Sequence, residues 1–170
     1  MRLIRFGIIS IVFLFLVITG ISLFIPSHIR ISKAINIAGE RDSVMGQIKD
    51  PLKWKNWYPG VDSAKPFLVR GELKGMILDN TDSLHPVYLA ITKIVDTEIN
   101  ARFVSRRMNP VENGWRSISY PGSDSIVLQW YMDFHLRWYP WEKFSSLLLE
   151  RSYGQKMEQG LSNLKKITQH

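Results

Sequence analysis

From Ser125 onward, every second residue is apolar. Ile126, Leu128, Trp130, Met132, Phe134 and Leu136 alternate with Val127, Gln129, Tyr131, Asp133 and His135, which are mostly polar. A period of two puts the first set on one face of a β-strand and the second on the other. That apolar face must be covered. Arg137-Trp138-Tyr139-Pro140 ends the strand, and Pro140 suits the first turn of a helix. Downstream, Met157, Leu161, Leu164 and Thr168 recur at helical spacing, with Lys156, Glu158, Lys165 and Lys166 between them. This is an amphipathic helix, and the strand before it offers the face it needs.

The opposite end of the chain has a different solvent in view. Phe6 to Ile25 reads FGIISIVFLFLVITGISLFI without a charge. At ~1.5 Å per residue it spans about 30 Å, the thickness of a hydrocarbon core. Arg2 and Arg5 precede it and Pro26 closes it, so the positive-inside tendency puts the N-terminus in the cytoplasm and the remainder on the extracytoplasmic, periplasmic side. A cleaved signal peptide with Gly20-Ile21-Ser22 as its site is the competing reading. The apolar run continues through Leu23-Phe24-Ile25, longer than an ordinary signal core of about 7–15 residues, which favours an uncleaved single-pass anchor. The chain then divides into an anchor, residues 1–26, and a domain, residues 27–170.

Within that domain, Ile29, Ile31, Ile35 and Ile37 alternate with polar or small residues as a first strand. A short helix is expected over Glu40 to Ile48. Asp50 is placed to cap a second one, with Pro51 in its first turn. Phe67 to Lys74 and Met76 to Leu78 read as a hairpin broken at Gly75. Val87 to Val95 and Glu98 to Arg106 follow, and Asn113-Gly114 marks a connection before a short strand from Trp115 to Tyr120. Strands in succession, bracketed by helices, predict an α+β domain with an antiparallel meander of about six to seven strands.

Several chemistries are disfavoured. The chain lacks cysteine, which removes thiolate nucleophiles, thiolate metal sites and disulfides. Its four histidines (His28, His85, His135 and His170) match no metal-ligand spacing, and no phosphate-loop, dinucleotide or serine-hydrolase motif occurs. No cofactor and no metal are expected. The net charge of +7 is dispersed among acidic residues, so nucleic acid is not an expected partner. Asp133 and His135 share the polar strand face and have the makings of a general base pair, but a solvated charge ladder continuing to Arg137 is the simpler reading.

The segment Asp50-Pro51-x-x-Trp54-x-x-Trp57-x-Pro59 resembles the stretch after the first strand of the SRPBCC superfamily (START and birch-pollen-allergen-like). The tail resembles its bacterial polyketide-cyclase/dehydrase-type members. That tail comprises Leu136-Arg137-Trp138-Tyr139-Pro140-Trp141-Glu142-Lys143-Phe144, then Gly154, then Glu158-x-Gly160-Leu161-x-x-Leu164-Lys165. The likeness runs from about Ile29 to Lys166. It implies a helix-grip fold, with a curved antiparallel sheet, usually seven-stranded, wrapped around the C-terminal helix and enclosing an apolar cavity. It implies no shared catalytic set, and fold alone does not fix function.

The expected cavity residues are Leu89, Ile91, Phe103, Trp130, Met132 and Phe134 on strands, and Met157, Leu161 and Leu164 on the helix. Trp54 and Trp57, three apart, are expected either to frame its rim or to plug one end of the sheet. Three functions remain open: a membrane-anchored binding domain for a lipid-like or other apolar molecule, a cyclase/aromatase-type enzyme, or an interaction module with a filled core.

Overall fold

The computed structural model describes residues 2–82, 84–106 and 108–169; His170 lies outside them. An N-terminal helix, α1 (Arg2–Ser22), leads into β1 (His28–Ala38), α2 (Arg41–Lys49) and a 3-10 helix (Pro51–Asn56). Six further strands follow: β2 (Lys65–Val69), β3 (Glu72–Asp79), β4 (Val87–Val95), β5 (Glu98–Val104), β6 (Val111–Ser119) and β7 (Ser125–His135). The chain closes with α3 (Pro140–Ser145), a π-helical segment (Glu150–Gly154) and α4 (Gln155–Thr168).

All seven strands form one sheet in the order β1-β7-β6-β5-β4-β3-β2, and every neighbouring pair is antiparallel. The meander β2 to β7 therefore returns to lie beside β1, with Ile31 opposite Met132 and Ile37 opposite Ile126. With α4 packed on the apolar face, this is the helix-grip architecture. The expected alternation sets that face: Ile126, Leu128, Trp130, Met132 and Phe134 are all buried, as are Met157, Leu161 and Leu164 on α4.

Three local expectations need correction. The first hairpin turns at Arg70-Gly71, both at positive φ (54° and 84°), a turn whose twist suits a two-residue hairpin. Gly75 instead lies inside β3, where a Cβ would stand 1.9 Å from the Leu89 carbonyl oxygen; there is no room for any side chain. Asn113-Gly114 is likewise internal to β6, with the Tyr131 ring laid over Gly114. The C-terminal helix is not one rod, because a 3-10 turn (Ser146–Leu148) and the π-helical segment ending at Gly154 separate α3 from α4. There Lys33 of β1 bridges Glu150 at 2.7 Å and Glu158 at 2.8 Å, tying the sheet to both sides of the break.

Helix α1 is long and apolar enough to cross a membrane from Ile4 to Ser22, and of that span only Ser22, in the last turn, is buried in the protein. It ends at Ser22 rather than at Pro26. Leu23, Phe24 and Ile25 leave it through a turn whose amides bond back to Thr19, Ile21 and Ser22.

Candidate ligand cavity and its aromatic floor

The space between sheet and α4 is filled unequally. Toward α2 and the 3-10 helix, it is occupied by Trp54, Trp57, Trp115 and Trp130, each at most 1% exposed. The sequence sets this up locally. The Asp50 carboxylate accepts from the Leu52 amide at 3.0 Å, and Pro51 opens the helix. That turn delivers Trp54 and Trp57 into the interior together. Trp57 meets Trp115 and Trp130 edge to face, with centroids 6.0 and 5.9 Å away, a favourable arrangement for ring quadrupoles. Of the two expected positions for Trp54 and Trp57, the geometry is that of the plug.

Burying an indole N–H without a partner is costly. Trp54 donates to the Ile48 carbonyl at 2.8 Å and Trp57 to the Gln47 carbonyl at 3.2 Å. Trp130 donates to Asn113, itself 1% exposed. Among the described residues, Trp115 Nε1 has no partner. Helix α4 reaches this floor through Gly160, where a Cβ would stand 2.6 Å from Trp130 Cζ3 and 3.0 Å from Pro59 Cδ.

Beyond the Trp130 ring the packing opens into a cavity of about 190 Å³. From the expected set, Phe103, Trp130 and Met132 line it from the sheet and Met157 from α4. Leu89, Phe134, Leu161 and Leu164 are at most 2% exposed and pack in the surrounding core without reaching it. Ile91 is partly buried and faces a separate shallow groove with Lys49 and Leu73.

Sequence reasoning missed Tyr58, Pro59, Gly60, Leu78, Tyr153 and Lys156 in the wall. Two of these carried a usable signal. Leu78 lies two residues after the buried Met76 and so shares its strand face. Tyr153 lies four residues before Met157, one helical turn away on the same side. Tyr58 carried none, since it sits just past the end of the 3-10 helix, where no period applies.

Two phenols face this space. Tyr58 accepts from Asn113 Nδ2 at 3.3 Å, so Asn113 links its hydroxyl to the Trp130 indole. Although part of Tyr58 reaches solvent, its phenol sits deep in the protein, and burial pushes its pKa well above the ordinary value. Burial raises Tyr153 in the same direction, and its hydroxyl meets Met108 Sδ at 3.6 Å. Both therefore remain neutral O–H groups at physiological pH. Among the described residues, no carboxylate or imidazole lines the cavity.

Asp133 and His135 lie outside this site, on the other face of β7. Arg30 of β1 forks onto Asp133 through Nε and a terminal nitrogen at 2.7 and 2.6 Å. This pairing holds the carboxyl below its usual range. His135 stacks on His28 at 4.7 Å, and Arg30 also lies 4.6 Å above the Tyr131 ring. The pair belongs to a cross-strand charge ladder, but the expected solvated face needs correction: Asp133 is only 7% exposed, covered by Arg30, while His135 is exposed. Among the described residues, no cluster of His, Asp or Glu is arranged to hold a metal ion.

No family model matches the sequence, and no curated protein does. Solved structures match through the fold. A START superfamily protein from Mycobacterium smegmatis aligns with 82% of this chain and 96% of its own, at 15% identity and a TM-score of 0.60. The Zhui aromatase/cyclase from a Streptomyces species aligns with 83% of this chain and 93% of its own, at 12% identity and a TM-score of 0.61. The di-domain aromatase/cyclase StfQ of the steffimycin pathway matches over 82% of this chain and 50% of its own, at 12% identity and a TM-score of 0.62. The chain thus has the helix-grip fold of START-like and aromatase/cyclase proteins, in keeping with the resemblance to SRPBCC proteins. At these identities the shared property is the fold.

Proposed function

We propose that residues 27–170 form a binding domain for a small apolar molecule, held at a membrane by the apolar run from Phe6 to Ile25. The observation that carries this reading is the cavity beside Trp130, walled by Met132, Met157, Phe103 and Leu78. Thioether side chains adapt to irregular ligands. At about 190 Å³ it is smaller than ordinary drug-sized pockets, which start near ~300 Å³. It is larger than a roughly 150 Å³ apolar cavity that admits benzene. The ligand class is therefore one aromatic ring or the end of an acyl chain, rather than a fused polycycle. Tyr58 supplies a neutral donor for a single oxygen on such a ligand.

The orientation follows the arginines before the run, with the domain on the extracytoplasmic, periplasmic side. Binding is favoured over cyclase chemistry because ring closure by carbon–carbon bond formation needs a proton acceptor at the substrate, and both phenols in the wall stay protonated. The aromatic floor favours a second reading, an interaction module whose core is closed to ligands.

Mass spectrometry of organic extracts from the purified full chain separates the two. A stoichiometric apolar compound in wild type, missing from a cavity-filling Met157→Phe variant, supports binding. Identical extracts from both, carrying nothing beyond the bulk lipid, contradict it.

A further inference from the structure

Helix α3 is amphipathic in the wrong sense for a protein bathed in water. Its inward positions are Pro140 and Lys143, and Ser146 follows on the same side just past its end, all buried. Its outward side carries Trp141 (63% exposed), Phe144 and, just beyond, Leu147 (68%) and Leu148. Trp138 precedes it, 64% exposed, and Tyr139 stacks on Trp141 with centroids 4.9 Å apart. An ordinary surface helix does the reverse, with apolar residues inward and charged ones outward. A contiguous exposed patch of this kind marks a surface that meets something apolar.

The inward polar side identifies what that is. Lys143, 5% exposed, donates to the Ile25 carbonyl at 2.6 Å and to Ser27 Oγ at 2.7 Å. The last turn of α1 also buries Ser22 and packs beside α3. The buried ammonium thus fixes α3 one hydrogen bond from the point where the apolar run ends. A 21-residue α1 is about 32 Å long at ~1.5 Å per residue and fills a hydrocarbon core. Ile25 then stands at the polar–apolar boundary. The headgroup layer beyond that boundary is roughly 5–8 Å deep, which is where amphipathic aromatics concentrate.

Resting on the anchor reading above, we propose that α3 and its flanks, Trp138 to Leu148, are a second membrane contact. They form an interfacial platform seated in the bilayer surface, which locks the domain against the anchor instead of leaving it on a loose tether. The occupant of this face is lipid. An apolar helix face partly sunk at the headgroup boundary is a known mode of membrane contact, and here the exit of α1 holds it in place.

The cysteine-free sequence allows clean single-site spin labels on the full chain in vesicles of phosphatidylcholine with a minority of phosphatidylglycerol. Collision rates with oxygen and with an aqueous nickel chelate report depth at Leu14→Cys in α1, Leu147→Cys beside α3 and Ser123→Cys in the β6–β7 turn. That turn is distant because β1 and β7 run about 34 Å between the two ends at ~3.4 Å per residue. The proposal expects Leu147→Cys at a depth between the other two labels, and a shift to the Ser123→Cys value when Trp141→Ser and Phe144→Ser are added. A label at Leu147→Cys as wet as that at Ser123→Cys, with Leu14→Cys still deep, overturns the platform and leaves the anchor standing. One shielded from both reagents means that a protein, a second copy or another chain, covers the face, and this also overturns it. Leu14→Cys at aqueous values would remove the anchor reading itself, and the platform with it.

Discussion

The two ends of the space under α4 are built from the same kind of material and behave as opposites. At one end, four indoles and their neighbours close the sheet, and three of the four N–H groups are tied to Ile48, Gln47 and Asn113. Rings have few rotatable bonds, and these hydrogen bonds fix them further. At the other end, Met132, Met157 and Leu78 leave a cavity with two phenols in its wall. Unbranched thioethers fill space without specifying it. Trp130 is the partition: its indole belongs to the floor and its ring to the cavity. Rigidity on one side of that ring is what lets the other side remain open without collapse.

The sharpest way to break this contrast is from the floor. Trp54→Ala should destabilise the domain by ~3–5 kcal/mol, the cost of an uncollapsed aromatic cavity, measured by denaturant unfolding. A loss below about 1 kcal/mol would mean that the floor is not close-packed. Gly160→Leu forces a side chain between α4 and the Trp130 ring, and should cost roughly 1–3 kcal/mol. Its ligand uptake should also fall, because Trp130 and Pro59 both border the cavity. Unfolding curves and extract mass spectrometry on the one variant check both halves.

Outside the core, the expected effects are smaller and depend on pH. The Asp133 carboxyl titrates lower in the folded chain than in the unfolded one, because Arg30 donates to it. Its contribution to stability is therefore present above the unfolded value near ~3.9 and is lost as pH falls through the depressed folded value. Asp133→Asn should cost about 1 kcal/mol at neutral pH, a modest figure because Arg30 is half exposed. The gap from wild type should close below pH ~4. A gap that does not change with pH would show that packing, not charge, holds this pair. In the core, Met157→Phe should likewise change stability by less than ~1.5 kcal/mol, since it swaps apolar for apolar, yet abolish uptake of an apolar probe. Unaltered uptake would move the binding site elsewhere.

Much of this architecture was legible in the residues. The β7 alternation selected the buried face from Ile126 to Phe134, and the spacing of Met157, Leu161 and Leu164 selected the face of α4. Periodicity of that kind survives because each side chain sees one uniform environment. Legibility failed where one glycine replaced a pattern. Gly75 and Gly114 read as breaks, yet both are internal strand residues that let a backbone or a ring come close. A sequence prints the same letter for a turn and for a close approach. The cavity was less legible than the fold, because buried and cavity-lining residues obey the same period. Phe134 and Met132 are neighbours on one face of β7, and only the second borders open space. That distinction depends on what comes from Tyr58 and Tyr153, which are remote in sequence.

Methyl NMR of the full chain in lipid nanodiscs, titrated with toluene, tests the central contrast most directly. The Met132 and Met157 methyl groups should shift together and saturate, while Met45, buried on α2 near the floor, stays in place. Three methyl groups drifting linearly and alike, or none moving, would contradict a domain with one closed end and one that takes an apolar ligand.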